Sequence, residues 1–157
     1  MENIDCFLKA RHKDISFRDL LTMRKAGLNI QRAFVLESGN EEIEWDLKTK
    51  QNFISNFLRG ISSGNLFFEY DKEKNYYQVI DGVQRIKTLF SFIQDEFINE
   101  KGQFYSALLK EDGRYLENIR NFGKPVLSIS IYERLTSEER VELFERVNII
   151  SIKENSS

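Results

Sequence analysis

Between Tyr76 and Phe97 the spacing of apolar residues changes at one dipeptide, and that change limits the folds open to the chain. Tyr76 to Ile80 is an aromatic and aliphatic run of the kind a half-buried strand prefers. From Val83 onward the apolar residues are Val83, Ile86, Phe90, Ile93 and Phe97, which form one continuous stripe at helical spacing. Asp81-Gly82 separates the two patterns. A strand that passes through a glycine turn directly into an amphipathic helix requires a sheet with helices packed on it. The expected fold class is therefore α/β (α+β).

The flanking segments agree. Leu66–Tyr70 reads as a second strand, and the short charged connector 71–75 predicts an antiparallel hairpin with Tyr76–Ile80. Val126–Tyr132 alternates, with Leu127, Ile129 and Ile131 on one face and Ser128 and Ser130 on the other. Ser16 with Asp19, and Thr136 with Glu139, have capping-box spacing and open helices toward Lys25 and Val147. Leu47–Gly60 fits a further helix, with Leu47, Ile54 and Ile61 recurring at seven and Phe53/Phe57 and Ile54/Leu58 at four. A short strand is expected near Phe104, a helix over 115–122, and an extended or irregular segment over 28–35. Gln84 and Thr88 are expected to point away from the apolar stripe. Residues 1–14 read as an N-terminal extension, 15–150 as the domain and 151–157 as a frayed tail.

Composition excludes several kinds of chemistry. A chain of 157 residues is long enough for one real core. One cysteine rules out a disulfide framework or a cysteine-cluster zinc site, and one histidine rules out a histidine-metal nuclease centre supplied by this chain alone. With 25 acidic and 23 basic residues the net charge is −2, which argues against holding nucleic acid by bulk electrostatics. No targeting signal and no run of about 20 apolar residues is present, so the expectation is a soluble, cytoplasmic protein without membrane contact. Residues 37–46 carry five acidic side chains and no basic one, and read as a solvated loop.

The Asp81-Gly82 junction is also where chemistry is expected. The first N–H groups of a helix lack internal partners and carry partial positive charge, so anions, phosphates above all, bind there. Gly82 has no Cβ and lets a ligand approach the backbone. Arg85 can fork two hydrogen bonds onto a phosphate, Gln84 and Thr88 add polar reach, and Asp81 can hold Mg²⁺ or orient water. The same residues also make an ordinary turn, in which Asp81 caps the helix and Arg85 pairs with a carboxylate. His12 lies in a small exposed basic patch, Cys6 reads as a small core residue, and Phe68, Tyr76 and Tyr77 read as core aromatics at strand spacing.

The stretch Tyr77-Gln-Val-Ile-Asp-Gly-Val-Gln-Arg-Ile-Lys-Thr-Leu89 resembles the "VIDGQQRLTTL" signature of the DGQQR-motif family. That family forms the N-terminal domain of GmrSD-type (type IV, modification-dependent) restriction enzymes and related phage-defence proteins. Three more pieces follow the family's order: Ser16–Leu21 is similar to its opening helix, Asn29–Val35 to "PxYQRxYVW", and Leu143–Asn148 to "FxRLN". The resemblance spans roughly residues 15–150. It implies a ParB/sulfiredoxin-like fold, a small mixed sheet flanked by helices. It also implies binding, and hydrolysis, of a nucleoside triphosphate with Mg²⁺, in the service of a separate HNH-type nuclease chain or domain that cuts DNA.

By position, the resemblance gives Asp81, Gln84 and Arg85 catalytic roles, with Asp81 as the Mg²⁺ ligand. Gln31, Arg32, Gly82, Arg85, Thr88, Arg146 and Asn148 become the nucleotide- or phosphate-binding set. Val83 stands where the family has its first Gln, and Asn29 and Ile30 stand where it has Pro and Tyr. With His12 alone there is no HNH site, so the sequence reads either as a fragment or as a reduced stand-alone member. These departures keep a second reading open: a non-enzymatic, ParB-like DNA-binding or protein-interaction module.

Overall fold

The computed structural model describes residues 7–29, 44–62, 64–111 and 125–155. Its strands are β1 (Ala10–Ser16), β2 (Leu28–Asn29), β3 (Asn65–Asp71), β4 (Tyr76–Asp81) and β5 (Pro125–Glu133). Its helices are α1 (Phe17–Lys25), α2 (Leu47–Leu58), α3 (Val83–Ile93), α4 (Tyr105–Leu108) and α5 (Ser137–Asn155). The strands form one sheet in the order β1-β5-β3-β4-β2. β1 and β5 are antiparallel, as are β3 and β4, while the β5/β3 and β4/β2 pairs are parallel. The expected α/β class holds, as a mixed sheet flanked by helices.

Alternation along the strands makes two cores. Leu66, Phe68, Val79, Leu127, Ile129 and Ile131 face α1, α2 and α3 in a large apolar cluster. Their sequence neighbours Phe67, Ile80 and Tyr132 face the other side and pack with Leu135, Leu143 and Val147 from α5 and the turn before it. The period of two thus sends adjacent residues into different cores, and each strand helps to hold both helical layers.

Both capping boxes form. Ser16 accepts from the Asp19 amide at 3.1 Å and donates its own amide to Asp19 at 3.0 Å. Thr136 and Glu139 make the same reciprocal pair at 3.1 and 2.8 Å. The hairpin is antiparallel as expected, with Asp71 accepting from the amides of Glu73 and Lys74 in its turn.

Some local expectations need correction. The strand expected near Phe104 is replaced by the short helix α4, whose first turn is tied down where Asp95 accepts from the Ser106 amide at 2.9 Å. In α2 the buried residues are Phe53, Ile54, Phe57 and Leu58, whereas Leu47 and Ile61 are exposed; the i,i+4 pairs define the seam and the seven-residue recurrence does not. α3 ends at Ile93, and Phe97 reaches the core from beyond it by packing on Phe92, ring centroids 5.4 Å apart. Gln84 and Thr88 do not point to solvent: both are buried. α5 runs to Asn155, past the Val147 limit. Residues 10–14, read as extension, form most of edge strand β1. Cys6, the 115–122 helix, Ile30–Val35 and most of the acidic loop lie outside the described residues.

Candidate functional site

The candidate site begins with an irregularity in β4. Phe67 opposes Asp81 while Phe68 opposes Val79, so Ile80 is an extra residue and the ladder is bulged just before Asp81. The bulge sets Asp81, in place of Ile80, opposite Phe67 at the strand end, where Gly82 turns the chain into α3. Gly82 has φ +114°, and a Cβ there would come within 2.4 Å of Leu66 Cδ2. Both the backbone angle and the close approach of β3 therefore require glycine. No side chain caps the start of α3; the first intrahelical bond runs from the Ile86 amide to the Gly82 carbonyl at 3.0 Å.

Arg85 lies one turn in and folds back over this end. Its Nη2 donates to Asp81 Oδ2 at 3.2 Å and to the Asn65 carbonyl at 3.1 Å. Only 14% of the Arg85 side chain and 18% of the Asp81 side chain are exposed. Burial depresses the Arg85 pKa, and the nearby Asp81 charge only partly opposes it. Arg85 stays charged all the same, so it is a largely desolvated cation held by Asp81 and by the Asn65 carbonyl.

Asn65 was not anticipated. Its side chain donates to the buried Ser130 hydroxyl at 2.8 Å, and His12 Nδ1 lies 2.7 Å from the same oxygen. Asn65 therefore ties Arg85 to three neighbouring strands. The alternation of β5 does put Ser130 on the face away from Ile129. The pairing with Asn65, however, depends on a parallel register between strands 60 residues apart, which no local pattern carries.

The other expected residues are distributed around this centre. Gln84 accepts from the Trp45 amide at 3.1 Å. The Thr88 hydroxyl donates to the Gln84 carbonyl at 2.7 Å. Both line a cavity of about 270 Å³, together with Arg24, Lys50 and Lys87. The structure thus brings Asp81, Gly82 and Arg85 together and sets Gln84 and Thr88 apart from them. Arg146 binds Glu142 one turn back, at 2.6 Å. Asn148 lies within α5, and its side chain is outside the description. Gln31 and Arg32 also lie outside the described residues; the chain enters that segment from Asn29, whose side-chain Nδ2 donates to Gln78 Oε1 on β4 at 3.0 Å.

Among the described residues no group of three or more His, Cys, Asp or Glu side chains is placed to hold a metal. A single carboxylate such as Asp81 still suits Mg²⁺, which usually takes one or two carboxylates and fills its shell with phosphate oxygens and water. No helix among these residues is long and apolar enough to cross a membrane.

No curated protein and no solved structure matches the chain. Residues 29–154 do match a family model, from the strand beside Gln78 through the Asp81–Arg85 turn and almost to the end of α5. The chain therefore belongs to the family described as the GmrSD restriction endonuclease, N-terminal domain.

Proposed function

We propose that this chain is a nucleoside-triphosphate-binding domain of a restriction or phage-defence system that acts on DNA, and that the ligand sits at the Asp81–Arg85 turn. One observation carries the reading: the largely buried Arg85 guanidinium lies against a helix N-terminus that no side chain caps. Phosphate oxygens offer strong acceptors to the cation and to the first amides alike. Gly82 lets the chain turn into α3 with Leu66 packed against it.

Binding exchanges partners. Arg85 moves from Asp81 to phosphate, and Asp81 is released to face Mg²⁺ accompanying the nucleotide. The metal, when bound, neutralises phosphate charge. Asn65 keeps its hold on Arg85 through the backbone carbonyl, so the guanidinium turns without leaving the site. Hydrolysis adds a role for Gln84 in positioning water, which requires it to release the Trp45 amide.

A thermal-shift series with ATP, GTP, CTP and UTP, each with Mg²⁺, tests the reading. At least one should raise Tm in the wild-type chain and have no effect on Arg85→Ala. No shift with any of the four, or an equal shift in the variant, refutes it.

A second reading is favoured by the engagements of Gln84 and Thr88, which serve the fold. On that reading the chain is a non-enzymatic DNA-binding or protein-interaction module. It predicts duplex binding that weakens steeply with salt and ignores nucleotide.

A further inference from the structure

A second cavity lies at the far end of β4 from Asp81. It has a volume of about 480 Å³, within the range of small-molecule sites, and opens where the β3–β4 turn meets the junction between β5 and α5. Tyr76, where β4 begins, lies on its wall. Five residue steps separate Tyr76 from Asp81, roughly 17 Å of strand, so this is a different place from the Arg85 site.

Its charges are unequally committed. The carboxylate of Glu69 is held by Arg140 and by the Leu135 amide. Asp71 is taken up by the amides of its own turn. Glu133 faces Arg11 at 3.9 Å. Of the carboxylates around the cavity, only Glu73 has no such engagement. Lys72, Lys74 and Arg134 line the same cavity, and none has a carboxylate partner among the described residues. The lining carries four carboxylates and four cations in all, and the cations without a carboxylate partner are grouped at the β3–β4 turn and the β5–α5 junction.

Arg134 adds an independent mark. It has φ +57°, in the left-handed region that disfavours a residue with a Cβ. Glycine or asparagine serves such a position at lower cost, as Asn75 does at φ +54° in the β3–β4 turn. Nothing in the β5–α5 junction calls for an arginine, since the Thr136–Glu139 box caps the helix by itself. Strained residues of this sort gather at ligand clamps. Here the strain sets a long cationic side chain at the cavity wall.

We propose that this cavity binds a small phosphorylated ligand with a planar ring, of nucleoside-monophosphate size, its phosphate on Lys72, Lys74 and Arg134 and its ring against Tyr76. The site is independent of the triphosphate reading above and stands if that reading falls.

The experiment is a titration of the full chain with AMP, followed by calorimetry and by backbone amide NMR. Saturable binding is expected, with shifts centred on residues 70–76 and 133–136. Arg134→Gly removes the cation and the strain together. It should weaken AMP at least tenfold while Tm stays no lower than wild type, a combination that a merely structural arginine does not give. Lys72→Ala with Lys74→Ala should weaken AMP similarly, whereas Arg85→Ala should leave it unchanged. Four results overturn the proposal: no binding stronger than about 1 mM; shifts centred instead on the start of α3; wild-type affinity in Arg134→Gly; or a short oligonucleotide binding through these lysines where AMP does not.

Discussion

The β3–β4 hairpin takes part in two arginine–carboxylate pairs, Asp81–Arg85 at one end and Glu69–Arg140 toward the other, and they divide the cost of burial in opposite ways. In the first, the two residues are four apart, joined by one contact of 3.2 Å, and the cation is the desolvated member. In the second, the partners are 71 residues apart and doubly bonded; Glu69 is the more buried, and its hydrogen bonds raise the Arg140 pKa. Glu69 also accepts from the Leu135 amide at 2.9 Å. The long-range pair fastens the start of α5 to the sheet and is fully satisfied. The local pair places its cation at the uncapped start of α3, a position suited to taking up a ligand.

The sharpest way to break the comparison is to truncate the doubly bonded carboxylate of one pair and the desolvated cation of the other. Glu69→Ala leaves the Arg140 guanidinium and the Leu135 amide without their acceptor, which should cost about 3 kcal/mol, the low end for breaking a buried pair because Arg140 is partly exposed. Arg85→Ala instead removes a cation that burial already disfavours, and Asp81, at the strand end, can turn to water. Its cost should be about 1 kcal/mol or less. Urea denaturation of the two variants measures both. If Arg85→Ala proves as damaging as Glu69→Ala, the local pair is a structural clamp and its exchange for phosphate loses its basis.

Gly82→Ala probes what shapes the local pair. The added Cβ must accept a left-handed φ and overlap Leu66, a buried residue of the central strand. Together these should cost about 2 kcal/mol. The damage should also spread to ligand binding, because the turn that must give way joins Asp81 to the start of α3. Equilibrium unfolding and the triphosphate thermal shift read the two effects. Normal stability with lost binding would mean that Gly82 serves ligand approach alone.

The comparison also explains what could be read from the sequence. The Asp81–Arg85 turn, the hairpin and both capping boxes are built within about five residues each, so spacing alone reveals them. Glu69–Arg140 and the His12–Ser130–Asn65 chain depend on strand register and on the return of α5 over the sheet, and composition and periodicity contain neither. Gln84 and Thr88 fall between these cases. Their place on α3 follows from helical spacing, but both are buried, and Gln84 takes its partner from Trp45, 39 residues away. Local chemistry was legible wherever the chain supplied both partners at once. It was misjudged where a distant segment covered the face.

The smallest expected effect concerns a purely local carboxylate, Asp19 in the α1 capping box. Its pKa is lowered, first by the hydrogen bond from the Ser16 amide and then by the Ser16 hydroxyl. The folded chain therefore binds this proton less readily than the unfolded chain does. The box contributes its stability above the unfolded value of 3.8 and loses it as pH falls through the lower folded value. Asp19 is almost wholly exposed, so the contribution is a fraction of what an isolated pair in a dry interior would give. Asp19→Ala should thus have a slightly lower Tm than wild type at about pH 6, and the gap should narrow toward about pH 3. A gap of unchanged size across that range would mean that Asp19 acts through packing and not through its charge. The contrast between modest local carboxylates and the structural Glu69 would then have to be drawn from burial alone.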